Sequence, residues 1–394
     1  MPDPAVAYLD HAASTPLRPE ARDAVLSVLE SSFANPSGSH RAARAARQLV
    51  DEARDVVADA LGARPGEVVF TSGGTEADNL AVLGVHARRP GVVLCSAVEH
   101  PAVAEAVAAV GGRTVAVDAR GVLDLPALEA ALDGCAAVGE PVALVSVMGA
   151  NNEVGTIQPL AAVAATVGDR APGARLHTDA VQAVPWVDVA ARAAGFDLVA
   201  LSAHKFGGPK GVGVLVVREG VDVAPLLVGG GQERERRSGT QNVAGIAGLA
   251  AALAVTVEER KATVERVAVL RDRLADGLVA AVPGLVETGV APAPRGGAAD
   301  RSHKVAGVCH VCIDGVESES LLFLLEQAGV YASAASSCAS GAMEPSPVLA
   351  AMGVSRGAAR GALRLSLGAT TTHADVDRAL AAVPAAVERL RRYA

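Results

Sequence analysis

Only four lysines occur in the 394-residue chain, Lys205, Lys210, Lys261 and Lys304, against 31 arginines, so chemistry that needs an amine has few candidates. Lys205 stands in 201-LSAHKFGGPKGVG-213, after an apolar run and before a glycine-rich turn that lets backbone approach a bound group closely. A lysine so placed can form a Schiff base with a carbonyl compound. The segment also fits an ordinary loop, whereas a phosphate loop would need a different spacing and a Ser/Thr that Gly-Gly-Pro-Lys-Gly lacks. Upstream, 175-RLHTDAVQAV-184 puts Asp179 at the end of a predicted strand, where the carboxyl ends of parallel strands form a ligand crevice. A carboxylate there can keep a pyridine nitrogen protonated, which makes a pyridoxal ring an electron sink. A helix N-cap is the other reading of the same aspartate. Earlier still, 68-VVFTSGGTEADNLAV-82 reads strand, turn, helix; the free N–H groups at that helix start suit a phosphate, with Thr75 adding a hydroxyl. The three segments follow in the order phosphate cup, ring partner, Schiff-base lysine.

Five cysteines, Cys95, Cys135, Cys309, Cys312 and Cys338, are odd in number and scattered, unlike a secreted disulfide framework. A lone cysteine is often a small buried hydrophobe. Cys338 differs, because 333-SAASSCASGAMEPS-346 is built of small and polar residues without a periodic apolar face, which predicts an exposed mobile loop able to carry a thiol in and out of a site. Cys309 and Cys312 form a C-x-x-C, yet they fall in a predicted strand where residues three apart face opposite sides, and no second pair completes a zinc site. Cys95 ends a core strand and Cys135 lies near a helix end, so both read as structural. His86, His303, His310 and His373 have no partner pattern and read as surface or core fillers.

The elements that must position these residues are legible as short Val-rich runs: 67-EVVF-70, 92-VVLC-95, 142-VALVSV-147, 197-DLVAL-201 and 212-VGVLVV-217. Continuous apolar runs separated by Ala-rich amphipathic stretches predict an α/β fold with a buried, mostly parallel sheet covered on both faces. A Gly- and charge-rich loop, 229-GGGQERERRSGT-240, precedes a helical pattern from about Asn242 to Val282 that links two domains. The loop 291-APAPRGGAADRSH-303 leads into the second half, where 305-VAGVCHVCI-313 and 363-LRLSL-367 read as strands and 317-ESESLLFLLEQAG-329 as a helix ending at Gly329. The length exceeds what one core usually supports. The expected division is a large domain at 15–258 and a small one from 1–14 and 259–394, the latter carrying the Cys338 loop at about 331–346. A net charge of −8 argues against general nucleic-acid affinity. No apolar run reaches the roughly eighteen residues of a membrane span, and Met-Pro-Asp-Pro does not open a secretory signal, so no membrane role and a cytoplasmic location are expected.

Taken together, 8-YLDHAASTP-16, 71-TSGGTEADNLA-81, 99-EHPAV-103, 151-NNEVGTIQP-159, 177-HTDAVQAV-184, 202-SAHKFGGPKGVG-213, 229-GGGQERERRSGT-240 and 338-CASGAMEPS-346 give the chain a resemblance to the NifS/IscS-type cysteine desulfurases, especially actinobacterial ones. These are class V aminotransferase relatives with the type I pyridoxal-phosphate fold, and the resemblance covers nearly the whole chain. It implies that Lys205 binds the cofactor and later moves the substrate proton, that Asp179 pairs with the pyridine nitrogen and Gln182 with the ring hydroxyl, and that His100 stacks on the ring and assists proton transfer. Gly74, Thr75, Ser202 and His204 would hold the phosphate, joined by Thr240 from the partner subunit of a homodimer. Asn152 would contact the cofactor, and Arg364 with Asn35 would bind the substrate carboxylate, an arginine being suited by its planar fork. His11 and His177 would play supporting roles.

The reaction so implied removes sulfur from L-cysteine, stores it as a persulfide on Cys338 and releases L-alanine, covalent storage splitting one difficult transfer into two. No metal is expected, apart from Cys338 as a transient iron–sulfur ligand beside an acceptor. The acceptor so implied is an iron–sulfur assembly protein or a thiolation enzyme, and a further reading makes the chain a dedicated sulfur-delivery partner of a tRNA- or DNA-thiolating system. A selenocysteine lyase or cysteine sulfinate desulfinase would use the same lysine and aspartate but tolerate loss of the cysteine. Departures from the family pattern are small: Ala203 stands where glycine is common, and Ala-Ser-Ser precedes Cys338 where Gly-Ser-Ala is common.

Overall fold

The computed structural model describes residues 6–291, 297–334 and 346–392, so Cys338 lies outside the described residues. Twelve strands occur among the described residues: β1 (Ala7–Tyr8), β2 (Val68–Thr71), β3 (Val92–Ser96), β4 (Arg113–Val115), β5 (Val142–Ser146), β6 (Arg175–Asp179), β7 (Leu198–Ser202), β8 (Gly213–Val217), β9 (Leu285–Glu287), β10 (Val308–Ile313), β11 (Val330–Tyr331) and β12 (Ala362–Ser366). Seven form one sheet in the order β2-β8-β7-β6-β5-β3-β4. Its strands run parallel except β8, which is antiparallel to both β7 and β2.

Alternation along the strands divides the large core in two, as the period of two dictates. Val199, Leu201, Val214 and Val216 join the helices Arg41–Ala60, Leu125–Ala137 and Leu160–Arg170 on one face. Leu198, Ala200, Leu215 and Val217 meet the helices Gly74–Arg88 and Pro101–Ala109 on the other. Both sides of β2, β5, β7 and β8 are buried throughout, which is why the runs in β5, β7 and β8 read as almost continuously apolar.

Helix Val243–Ala281 has 39 residues, capped by Asn242, whose Oδ1 accepts from Gly245 N at 3.0 Å. Ile246, Leu249 and Leu253 pack into the first core, whereas Val267, Leu270, Leu274 and Leu278 pack into a separate one with Leu9, β10, β12 and helix His373–Arg391. The second core is roofed by the antiparallel sheet β12-β10-β9 and the parallel pair β1-β11. Strand β10 begins at Val308 rather than residue 305, because Val305 N donates to Gly155 O and Gly307 is packed so close to Trp186 that a Cβ there would overlap the ring. Cys309 and Cys312 are buried in β10, and burial pushes the Cys309 thiol up to about 12. No helix among the described residues is long and apolar enough to cross a membrane.

One backbone feature is unusual. Glu233, Arg234 and Glu235 occupy the left-handed region in succession, at φ 49°, 56° and 64°, which costs an L-residue roughly 1–2 kcal/mol each. Glu233 is held there by buried partners, but the Glu235 side chain is exposed. Glu235→Gly is therefore expected to stabilise the fold by about 1 kcal/mol, raising Tm by about 1–2 °C in calorimetry of a chain this long.

Candidate active site

The carboxyl ends of β6 and β7 open into a cavity of about 330 Å³. Asp179 is the last residue of β6, and Ser202 is the last of β7, followed by a 3₁₀ turn at Ala203–Lys205 that delivers Lys205 to the cavity wall. Gly74 and Thr75 open the helix that follows β2, and His100 caps the helix that follows β3. Asn152 comes from the loop after β5 and Arg364 from the middle of β12, so this second core contributes one wall.

Lys205 Nζ donates to two backbone carbonyls, Ala12 O at 2.6 Å and Ala13 O at 2.9 Å. Gln182 Nε2 donates to the same Ala12 O at 2.8 Å. Asp179 is buried, its Oδ1 accepting from Val181 N at 2.8 Å. Burial raises its pKa, opposed by the charges of His100 and Lys205. Burial also raises Asp78 and Glu99 well above the ordinary carboxylate values, with the charge of Asp179 adding to both.

His100 Nδ1 accepts from Ala102 N at 3.1 Å, which leaves Nε2 to carry the proton of the neutral ring. Burial lowers its pKa, against the pull of Asp179. His204 falls to about 4 through burial and the charges of Lys205 and Lys210, and is neutral at pH 7. At the helix start, a Cβ on Gly74 would come within 2.9 Å of Val181 Cγ2, so any larger residue there would force the Val181 side chain to shift. The nearby Glu76 would repel an anion at that helix start, but Arg237 Nε donates to it at 2.8 Å and neutralises it.

Of the residues singled out in the sequence, Gly74, Thr75, His100, Asn152, Asp179, Gln182, Ser202, His204, Lys205 and Arg364 surround this one cavity. Thr240 and Asn35 are exposed and outside it, Asn35 Oδ1 accepting from Ser37 N at 2.9 Å. Sequence reasoning missed Asp10, Ala12, Ala13 and Asp78. Asp10 acts through a partner distant in sequence and Ala12 and Ala13 through backbone carbonyls, while Asp78 is buried near the start of a helix whose sequence shows no apolar stripe to mark it. A second cavity of about 180 Å³ reaches Lys205 from the side of Pro16, Trp186 and Phe206, but it lacks Asp179 and the helix start, so the chemistry belongs to the first.

An amine, a buried carboxylate and a helix N-terminus around one cavity match what a pyridoxal group requires. The sequence matches the class V aminotransferases (Aminotransferase class-V) over residues 7–379. The chain belongs to that family. It is 43% identical to the IscS-like cysteine desulfurase of Mycobacterium tuberculosis, an alignment covering 99% of this chain and 98% of that one. Among solved structures, a NifS-like protein superposes with a TM-score of 0.87 at 33% identity, covering 98% of this chain and 100% of the other. SspA in complex with cysteine gives 0.75 at 28% identity, covering 93% of this chain and 100% of the other. Within its family this class V protein is of the NifS/IscS cysteine desulfurase type, and its fold is that of the type I pyridoxal-phosphate enzymes. The cavity fits that cofactor: the Gly74–Thr75 helix start, Ser202 and His204 line it with donors suited to a phosphate, and Asp179 is the buried carboxylate a protonated ring nitrogen needs.

Proposed function

We propose that this cysteine desulfurase takes sulfur from L-cysteine, keeps it as a persulfide on Cys338 and releases L-alanine. The observation that carries the reading is the convergence of Lys205, Asp179, the Gly74–Thr75 helix start and Arg364 on one cavity. Bound pyridoxal phosphate supplies the electron sink that acidifies the α-C–H of the amino acid. Lys205 Nζ, aimed by the Ala12 and Ala13 carbonyls, takes that proton and returns it. Asp179 would hold the ring nitrogen protonated, and His100, whose Nδ1 accepts from Ala102 N, would offer its Nε2–H beside the ring. Thr75, Ser202 and His204 hold the phosphate, Gln182 and Asn152 orient the ring, and Arg364 grips the α-carboxylate, with Asn35 assisting. The Cys338 thiolate forms the S–S bond to the substrate sulfur; the C–S bond breaks, and its electron pair stays with the carbon that leaves as alanine.

In this reading the large domain is 15–258, and 1–14 with 259–394 form the small one that carries the cysteine loop. Thr240, exposed at the end of the loop that Glu233 anchors, reaches the phosphate of a second subunit. Sulfur passes to an acceptor protein in the cytoplasm, an iron–sulfur scaffold or a thiolation enzyme. The test is alanine and sulfide release from L-cysteine with added pyridoxal phosphate and a reductant. Wild-type activity that collapses in Cys338→Ala supports the persulfide route; equal activity in both overturns it in favour of a selenocysteine lyase or sulfinate desulfinase.

A further inference from the structure

Arg364 is an arginine with its charge almost wholly removed from water, its side chain 4% exposed, in a cavity that also holds the Lys205 amine. A buried guanidinium without a counter-charge is strongly unfavourable. Here the counter-charge is Asp10: Arg364 Nη2 donates to Asp10 Oδ1 at 2.8 Å, and Nη1 donates to Asn152 O at 3.0 Å. The Nε–H is buried and has no partner among the described residues. An unmade bond of that kind costs about 1–3 kcal/mol, and the guanidinium is held in place through Nη1 and Nη2, each of which keeps a second N–H to offer.

The backbone fixes this pairing. Asp10 forms a bridge with Ser366, two residues beyond Arg364 on β12, with Ser366 N donating to Leu9 O at 2.7 Å and His11 N to Ser366 O at 3.2 Å. The same four-residue stretch supplies the Ala12 and Ala13 carbonyls that receive Lys205 Nζ. One short segment of the N-terminus therefore sets both the amine and the arginine, whose positions relative to each other fix where the amino and carboxylate groups of an α-amino acid lie.

We propose that Asp10 is a positioning residue for substrate recognition: by holding Arg364 through Nη2 it keeps the remaining N–H groups directed to the α-carboxylate of the amino acid. The inference rests on Arg364 as the carboxylate site. It predicts an effect confined to ligands that carry a carboxylate. In Asp10→Ala, L-alanine binding, read as the absorbance change of the bound cofactor, weakens about tenfold, and KM for L-cysteine rises by a similar factor with little change in kcat. Binding of cysteamine, which has the amine and thiol but no carboxylate, stays within about twofold. Asp10→Asn, whose amide oxygen still accepts from Nη2 but supplies no counter-charge, recovers only part of the loss.

Equal weakening of both ligands in Asp10→Ala, or no weakening of L-alanine, overturns the proposal. If that variant does not fold, Asp10→Glu, which keeps the charge and moves the carboxylate by one methylene, is read against the same two ligands and the same criterion. Arg364→Gln separates the two levels of the argument. If it abolishes the preference for L-alanine over cysteamine while the Asp10 variants keep it, only the role of Asp10 fails. If Arg364→Gln also keeps the preference, the assignment of Arg364 itself fails.

Discussion

Lys205→Ala is expected to abolish alanine release from L-cysteine, a fall of at least about 10⁴-fold, because the same amine both anchors the cofactor and moves the substrate proton. The remaining three lysines cannot substitute. Lys304 is buried and donates to Thr288 O at 3.0 Å, and burial lowers its pKa. Lys210 and Lys261 are exposed and do not line the cavity. Reductive trapping of added pyridoxal phosphate, followed by peptide mass mapping, should label the peptide that contains Lys205 and leave Lys304 unmodified. Unchanged turnover in Lys205→Ala, or stoichiometric label on another lysine, would overturn the assignment. Lys210→Ala is the matched control, with turnover retained.

The parts of this site that were legible in the sequence are those encoded in contiguous segments. Lys205, Asp179 and Gly74–Thr75 each sit at the end of a predicted strand, and the carboxyl edge of a parallel sheet gathers such ends without any further information. Central strands β5, β7 and β8 were equally legible, since burial on both faces writes itself as an apolar run, whereas β6 is buried but carries His177, Thr178 and Asp179. Strands β1, β4, β9 and β11 were not, being two or three residues long and defined by their partners. The same holds for Asp10 and the Ala12 and Ala13 carbonyls. Asp10 meets Arg364 across 354 positions of sequence, and a carbonyl that aims a lysine leaves no mark in residue type. The long helix was read to within a residue because Asn242 caps it and its apolar spacing persists, although its two halves serve different cores.

A second large effect is expected far from the chemistry, at Glu233. Its carboxylate receives Arg54 Nη1 at 2.8 Å and Nη2 at 2.9 Å, Phe70 N at 3.0 Å and Gln241 Nε2 at 2.5 Å, all buried or nearly so. Arg54 in turn donates to Val68 O at 2.6 Å and lies 4.8 Å from the centre of the Phe70 ring. One carboxylate thus ties helix Arg41–Ala60, strand β2 and the left-handed turn at 233–235 together. Glu233→Ala leaves Arg54 charged, buried and unpaired, and is expected to cost about 3–5 kcal/mol in denaturant unfolding. A loss below about 1 kcal/mol would mean that water or a rearranged loop replaces the carboxylate. The acid dependence gives an independent check. Burial alone would raise the Glu233 pKa, but Arg54, Phe70 N and Gln241 together lower it. A lowered folded-state value contributes stability that is present above the ordinary glutamate range near ~4.3 and is lost as pH falls through the folded value. The stability gap between the wild type and Glu233→Gln should therefore be constant at neutral pH and narrow on acidification below about pH 4, whereas a gap that stays constant to lower pH would assign the effect to shape rather than charge.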